Sequence, residues 1–189
     1  MLWIEGSSSR LDALLRRAMA VGEIVRISRG LYMLSTPYQK EKPQPLALAQ
    51  SIYGPSYISL ESALSFHGWI PEAVYTTTSV SLNRSRFFET SVGRFSFSRV
   101  PQSKLYAGVR RFDEAQNGSF LIATPLKAIA DYVYVHVWKD SLEMLCGSLR
   151  IERSRFAGET LRTVEELSGN YMSLRVKKIL AEIQQEVKT

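Results

Sequence analysis

Five arginines near the amino terminus have the types and spacing to bind a polyanion. They are Arg10, Arg16, Arg17, Arg26 and Arg29. Residues 1–42 hold seven Lys or Arg and four Asp or Glu, so half of the formal charge of +6 lies in less than a quarter of the 189 residues. Guanidinium groups bind phosphate oxygens through paired hydrogen bonds. We therefore expect these arginines to contact phosphates or groove edges of double-stranded DNA. The alternative is the solvated charged face of an ordinary surface helix.

A histidine and a glutamate close together are candidates for a metal or acid–base site. Glu61 and His67 are six residues apart, and the other histidine, His136, lies far along the chain with no ligand motif. Residues six apart do not share a helix face. A histidine at the carboxyl end of a helix is stabilised by the helix dipole and needs no catalytic role. We expect a structural role for His67 and no metal site.

Acidic residues near a lysine give a faint pattern of a magnesium-dependent nuclease. Asp113-Glu114 follows a predicted strand, with Lys127 downstream. Paired acids at a strand end are more often solvated turn residues. Lys127 and Asp131 are four apart, which predicts an ion pair on the surface of a helix, worth a few tenths of a kcal/mol. We therefore predict no enzymatic activity and no cofactor.

The overall composition is that of a globular protein with a sizeable core, 45% apolar and 22% charged. No apolar run approaches the roughly 18 residues that cross a bilayer, and the first residues do not resemble a secretory signal. Cys146 is the single cysteine, so it has no disulfide partner within the chain, and we expect it in the core. These features predict a cytoplasmic protein with no membrane association.

The arginines are predicted to lie on a helix and on the hairpin that follows it. Apolar residues recur at helical spacing after a cap at Ser7–Ser9, and Gly22 fits the end of this helix. Residues 23–27 and 31–34 flank the turn Ser28-Arg29-Gly30, which indicates a β-hairpin with a basic tip. This is the helix-plus-wing half of a winged helix-turn-helix. We predict a partial winged-helix-like unit (residues 1–36), a linker rich in proline and lysine (37–45) and a larger domain (46–189).

The larger domain is predicted to be mixed, which makes the whole chain α+β. Its predicted strands are residues 74–82, a strand through Phe95 and Phe97, and a hairpin of 107–112 and 120–123 around Asn117-Gly118. Its predicted helices are 45–53, 60–67 capped by Ser59, a helix from Thr124-Pro125 into the apolar stretch 132–137, 158–167, and 172–187 capped by Asn170. Phe87 and Phe88 are expected in the core with Phe95 and Phe97, although exposed aromatics could stack on bases.

A series of short blocks in this order resembles the AbiEi-type antitoxins, regulators that are paired with nucleotidyltransferase-like toxins. The blocks span most of the chain, and their order carries the resemblance more than any single one. They are the wing-like segment 22–32 (GEIVRISRGLY), residues 57–72 (YISLESALSFHGWIPE), the strand 76–81, residues 93–97 (GRFSF) and residues 122–131 (IATPLKAIAD).

The resemblance implies a winged-helix domain that represses its own operon and an α/β domain that counteracts the toxin, with no requirement for a stable toxin complex. The chain departs from that pattern at its amino terminus, because a complete winged helix has three helices and this sequence has room for one before its hairpin. Either a partner or a second copy of the chain completes the unit, or DNA binding has been weakened or lost. The alternative function is a protein-interaction module that acts on a toxin or another partner without binding DNA.

Overall fold

The computed structural model describes residues 8–40, 43–114 and 118–188, and it shows a mixed α+β protein. Its helices are α1 (Ser8–Ala20), α2 (Pro45–Ile52), α3 (Leu60–Phe66), α4 (Pro125–Val135), α5 (Leu142–Leu149), α6 (Leu161–Asn170) and α7 (Leu174–Lys188). Its strands are β1 (Ile24–Ser28), β2 (Leu31–Leu34), β3 (Ser56–Ile58), β4 (Thr76–Ser81), β5 (Arg86–Thr90), β6 (Gly93–Arg99), β7 (Val109–Glu114) and β8 (Gly118–Ala123). The predicted fold class is confirmed.

The amino-terminal unit consists of α1 followed by the antiparallel hairpin β1–β2. Gly30 closes the turn with a φ of 77°, a left-handed conformation that residues with a Cβ rarely adopt. Of the predicted cap Ser7–Ser9, Ser7 lies outside the described residues. A 3₁₀ helix, Thr36–Tyr38, overlaps the start of the predicted linker. The division at residues 37–45 stays a prediction.

The larger sheet has the strand order β5-β6-β4-β3-β8-β7. β4 pairs in parallel with β6, and β3 pairs in parallel with β8, while the remaining neighbours are antiparallel. One face carries Phe97, whose ring lies 5.2 Å from that of Tyr53 just after α2. Tyr57 points to the opposite face because side chains alternate along a strand, and its hydroxyl bonds to Asp131 of α4. The sheet is thus packed between helices on both faces.

Several helices and strands differ from the predicted ones, because long-range contacts decide where they form. The short strand β3, the edge strand β5 and helix α5 are absent from the sequence predictions. The last two helices begin later than predicted. A 3₁₀ helix, Arg153–Gly158, ends at the first residue of the predicted 158–167 segment. Asn170 does not cap α7, because it ends α6 and its side chain accepts a 2.7 Å bond from the backbone N–H of Lys104.

Two predicted cap residues stand at the right positions without capping through their side chains. Ser59 precedes α3, but its hydroxyl donates to Asp131, 2.7 Å away. Thr124 precedes α4 and makes no cap bond. In both cases the backbone enters the helix from an extended conformation, and Pro125 favours that entry by fixing its own φ. Within the described ranges, no helix is both long and apolar enough to cross a membrane.

Candidate nucleic-acid interface

Helix α1 carries three of the predicted arginines on the two edges of its apolar stripe. At about 100° per residue, Arg10 and Arg17 stand on nearly the same side, seven residues apart. Arg16 lies on the other edge, where its Nε donates to the carbonyl of Asp12 at 3.3 Å. All three side chains are exposed. The helix therefore presents cations to solvent on either side of its leucines.

The hairpin presents the other two arginines. Ile27 is buried, so its neighbour Arg26 faces outward, opposite Tyr32 on β2. Arg29 occupies the tip, and a register irregularity between Arg26 and Ser28 shapes the strand just before it. The Nε of Arg26 donates to the carbonyl of Ser28 at 3.2 Å. Both arginines are exposed, as a wing that reaches a groove or a phosphate requires.

The helix and the hairpin are joined directly by backbone hydrogen bonds. The N–H of Glu23 donates to the carbonyl of Ala18 at 2.9 Å, and the N–H of Ser35 donates to the carbonyl of Glu23 at 2.8 Å. These bonds hold the end of α1 against the open end of the hairpin. The five arginines therefore belong to one connected unit.

This unit carries a clear excess of positive charge. Residues 8–40 contain six Lys or Arg and two Asp or Glu. Among the described residues, none of the five arginines forms an ion pair, whereas Arg94, Arg111, Arg150 and Arg153 elsewhere each pair with a carboxylate. An exposed surface with excess positive charge, whose arginines form no ion pairs, attracts polyanions. We call these five arginines the amino-terminal basic surface.

The apolar stripe of α1 is only partly covered. No described side chain of this helix is buried, and Leu14 is 45% exposed. The hairpin packs better, because Ile27 joins the main core and Val25, Leu31 and Met33 pack against it. A winged helix normally covers this stripe with its other helices. Within the described residues, the hairpin is packed against the core and α1 lacks such support.

Lys127 and Asp131 form the predicted ion pair, but its predicted place on the surface is wrong. The two side chains are 3.0 Å apart and both are fully buried. Asp131 accepts four hydrogen bonds in total: from Lys127, and from the hydroxyls of Tyr57, Ser59 and Tyr171 at 2.8, 2.7 and 2.6 Å. Each of the two carboxylate oxygens of Asp131 accepts two of these bonds. A buried charge requires hydrogen-bond partners of this kind.

Around this ion pair lies a connected set of side chains that we call the buried polar cluster. Lys127 also donates to the amide oxygen of Gln102 and to the hydroxyl of Tyr171. Gln102 in turn donates to the hydroxyl of Tyr57 at 2.9 Å and accepts from Asn170 at 3.2 Å. The members of the cluster are Tyr57, Ser59, Gln102, Lys127, Asp131, Asn170 and Tyr171. They tie β3, α4 and the carboxyl-terminal helices together.

The cluster is a structural support rather than a reaction site in this conformation. Lys127, Asp131 and Tyr57 have no exposed side-chain surface, and their hydrogen bonds are made within the protein. Burial lowers the pKa of Lys127, while the charge of Asp131 works in the opposite direction. Sequence reasoning missed the partners because they come from distant segments. One signal was present: Leu126, Ala128 and Ile129 surround Lys127 with apolar neighbours.

Because of the buried polar cluster, we expect the free energy of unfolding to fall at alkaline pH. Burial, followed by the charge of Asp131, raises the pKa of Tyr57 and Tyr171 well above 10.0. Above pH 10 the unfolded tyrosines lose protons that the folded ones keep, so the free energy of unfolding falls by up to about 2.7 kcal/mol per pH unit. The lowered pKa of Lys127 makes the free energy of unfolding rise with pH, but only below about pH 10.4, the pKa of an unfolded lysine.

Urea denaturation between pH 8 and pH 11.5 measures this slope. Tyr171→Phe removes one of the two titrating tyrosines of the cluster, so it should make the slope shallower by up to about 1.4 kcal/mol per pH unit. A free energy of unfolding that stays level above pH 10 contradicts the proposed effect of burial.

His67 stands at the carboxyl end of a helix, where the sequence placed it. It ends α3, and its Nε2 lies 2.9 Å from the carbonyl oxygen of Ala123. Burial lowers its pKa, the bond to Ala123 raises it and the charge of Arg110 lowers it, with a net decrease. Glu61 lies 3.3 Å from His136 rather than pairing with His67. The described residues include no group of three or more ligands for a metal ion.

The residues of the candidate nuclease site lie apart in the structure. Asp113 is exposed and pairs with Arg111 at 2.8 Å, whereas Lys127 is buried with Asp131, so the nuclease pattern does not assemble. Cys146 is buried, as expected, and burial raises its pKa. The expectation that Phe87 is a core residue is wrong, because it is 59% exposed on the edge strand β5.

Comparison with models of known protein families gave no match, and comparison with curated proteins gave no significant one. The resemblance to AbiEi-type antitoxins therefore remains a prediction from the sequence.

Proposed function

We propose that this chain is an AbiEi-like antitoxin and transcriptional regulator, which binds the operator DNA of its own operon and counteracts a nucleotidyltransferase-like toxin in the cytoplasm. The observation that carries the DNA-binding part is the amino-terminal basic surface. Its five arginines are exposed on a connected helix and hairpin, and none has a carboxylate partner within the described residues. The larger domain provides the protective function in this proposal.

DNA binding by the whole chain is tested with a duplex of the promoter region upstream of its gene. If all five arginines contact phosphates, the logarithm of the binding constant should fall with the logarithm of salt concentration with a slope of up to about −4.5. A mobility-shift titration from low to physiological salt measures that slope. The DNA-binding proposal fails if micromolar protein does not shift this duplex at low salt.

The second candidate function is a protein-interaction module that acts on the toxin or another partner without DNA. It is favoured by the partly uncovered apolar stripe of α1, where Leu14 is 45% exposed. A partner or a second copy of the chain would cover that stripe and form a homodimer in the latter case. A chain truncated before Pro43 separates the two functions. Protection that survives truncation, with no operator repression by either form, supports the second function.

A further inference from the structure

A second basic surface lies at the far end of the β5–β6 hairpin, away from the amino-terminal unit. Three arginines meet around Ser85: Arg84 and Arg86 flank it, and the N–H of Arg99 donates to its hydroxyl oxygen at 2.9 Å. All three arginine side chains are exposed. We call Arg84, Ser85, Arg86 and Arg99 the Ser85 patch. Sequence analysis did not single it out, since Arg99 joins it only through strand pairing.

The backbone that carries the Ser85 patch is held firmly. The hydroxyl of Tyr53 donates to the carbonyl of Arg84 at 2.9 Å. The side chain of Asn83 donates to the carbonyl of Gly54 at 3.2 Å, and its backbone N–H donates to the hydroxyl of Ser81 at 3.1 Å. These bonds fix the backbone of the loop, so the points from which the arginine side chains project are set before binding.

The patch has no counter-charge within the described residues. None of its arginines forms an ion pair, although Arg94 on the same hairpin pairs with Glu89 at 3.2 Å. Neighbouring like charges on a sheet repel one another. Three arginines without ion pairs, beside a serine hydroxyl, match the donors that proteins direct at nucleic-acid phosphates.

The β5–β6 hairpin connects the Ser85 patch with the amino-terminal unit. The opposite end of the β5–β6 hairpin, at Ser91 and Val92, lines a cleft together with Val25 and Met33 of the first hairpin. Five residues of β5 span roughly 17 Å, about half of the 34 Å turn of DNA. We infer that the Ser85 patch contacts the phosphate backbone of the same duplex. The larger domain then helps the amino-terminal unit to hold the duplex.

The inference rests on the proposed DNA binding and is tested with the full-length double variant Arg84→Ala/Arg86→Ala. Loss of two phosphate contacts should reduce the salt slope by about 1.8 and weaken binding at least roughly 10-fold. The probes are the promoter duplex and a scrambled duplex of the same length, about 30 base pairs. Because phosphate contacts read no sequence, both probes should lose affinity equally. The control is Arg155→Ala/Arg162→Ala, which removes the same charge from exposed positions on the 3₁₀ helix and on α6.

The outcomes separate this inference from the proposed function. If Arg26→Ala/Arg29→Ala weakens binding and Arg84→Ala/Arg86→Ala does not, DNA binding stands and the Ser85 patch is not part of it. An equal loss in the control pair also overturns the inference, because net charge alone then explains the effect. Wild-type DNA affinity combined with lost protection against the toxin assigns the patch to a protein partner, which overturns it as well. Loss with both probes and an unaffected control supports it.

Discussion

Asp131→Ala is expected to lower the free energy of unfolding by about 3–5 kcal/mol, the range found when one partner of a buried ion pair is removed. The substitution leaves the ammonium of Lys127 buried without an anion and leaves three hydroxyl donors without their acceptor. Since domains are stable by only about 5–15 kcal/mol, this single change removes a large part of the total. Urea denaturation at pH 7 measures it.

A surface ion pair provides the matched control for this measurement. Glu89 pairs with Arg94 at 3.2 Å, and both side chains are more than 60% exposed. Glu89→Ala should therefore cost less than about 1 kcal/mol. Asp131→Asn keeps the shape of the side chain and serves if the alanine variant does not fold. Equal small losses for Glu89→Ala and either Asp131 variant contradict the role assigned to the buried polar cluster.

The double variant Arg26→Ala/Arg29→Ala is expected to weaken binding to the promoter duplex at least roughly 10-fold and to reduce the salt slope by about 1.8. Both arginines are exposed on the hairpin, and neither has a carboxylate partner within the described residues. The hairpin core should be unaffected, because Ile27 points inward and stays in place. Fluorescence anisotropy with labelled duplex at several salt concentrations measures both quantities.

Arg155→Ala/Arg162→Ala is again the control, since it makes the same change in net charge. It should leave the affinity within about twofold of the wild type, because contacts rather than overall charge set the salt slope. If the hairpin variant retains full affinity while the wild type binds, the amino-terminal hairpin is not the site of DNA contact. The proposed function then needs another surface.

Most of the local structure could be predicted because it depends on residues close together in sequence. The first hairpin follows from alternating apolar residues around Gly30, and its positive φ of 77° explains why glycine closes that turn. The entry into α4 follows from Thr124-Pro125, since proline fits the first turn of a helix. The strand β3 was missed because its three residues are too few to show a period.

For the candidate sites too, features set by nearby residues could be predicted and features set by distant ones could not. Exposure of Arg26 could be predicted from its place in an alternating strand, and the structure confirms that exposure. The surroundings of Asp131 could not, because two of its donors, Tyr57 and Tyr171, come from positions 74 and 40 residues away in the chain. Spacing of four residues predicts that two side chains can meet. It does not predict whether the rest of the fold covers them.

By itself, the sequence determined the helix-then-hairpin order of the amino-terminal unit and the outward position of its arginines. The reason is that turn chemistry and periodicity act over a few residues. Only the tertiary structure decided that Lys127 and Asp131 lie in the core and that Arg99 joins Arg84 and Arg86 at one corner of the sheet. Burial and convergence of side chains depend on which distant strands and helices pack together.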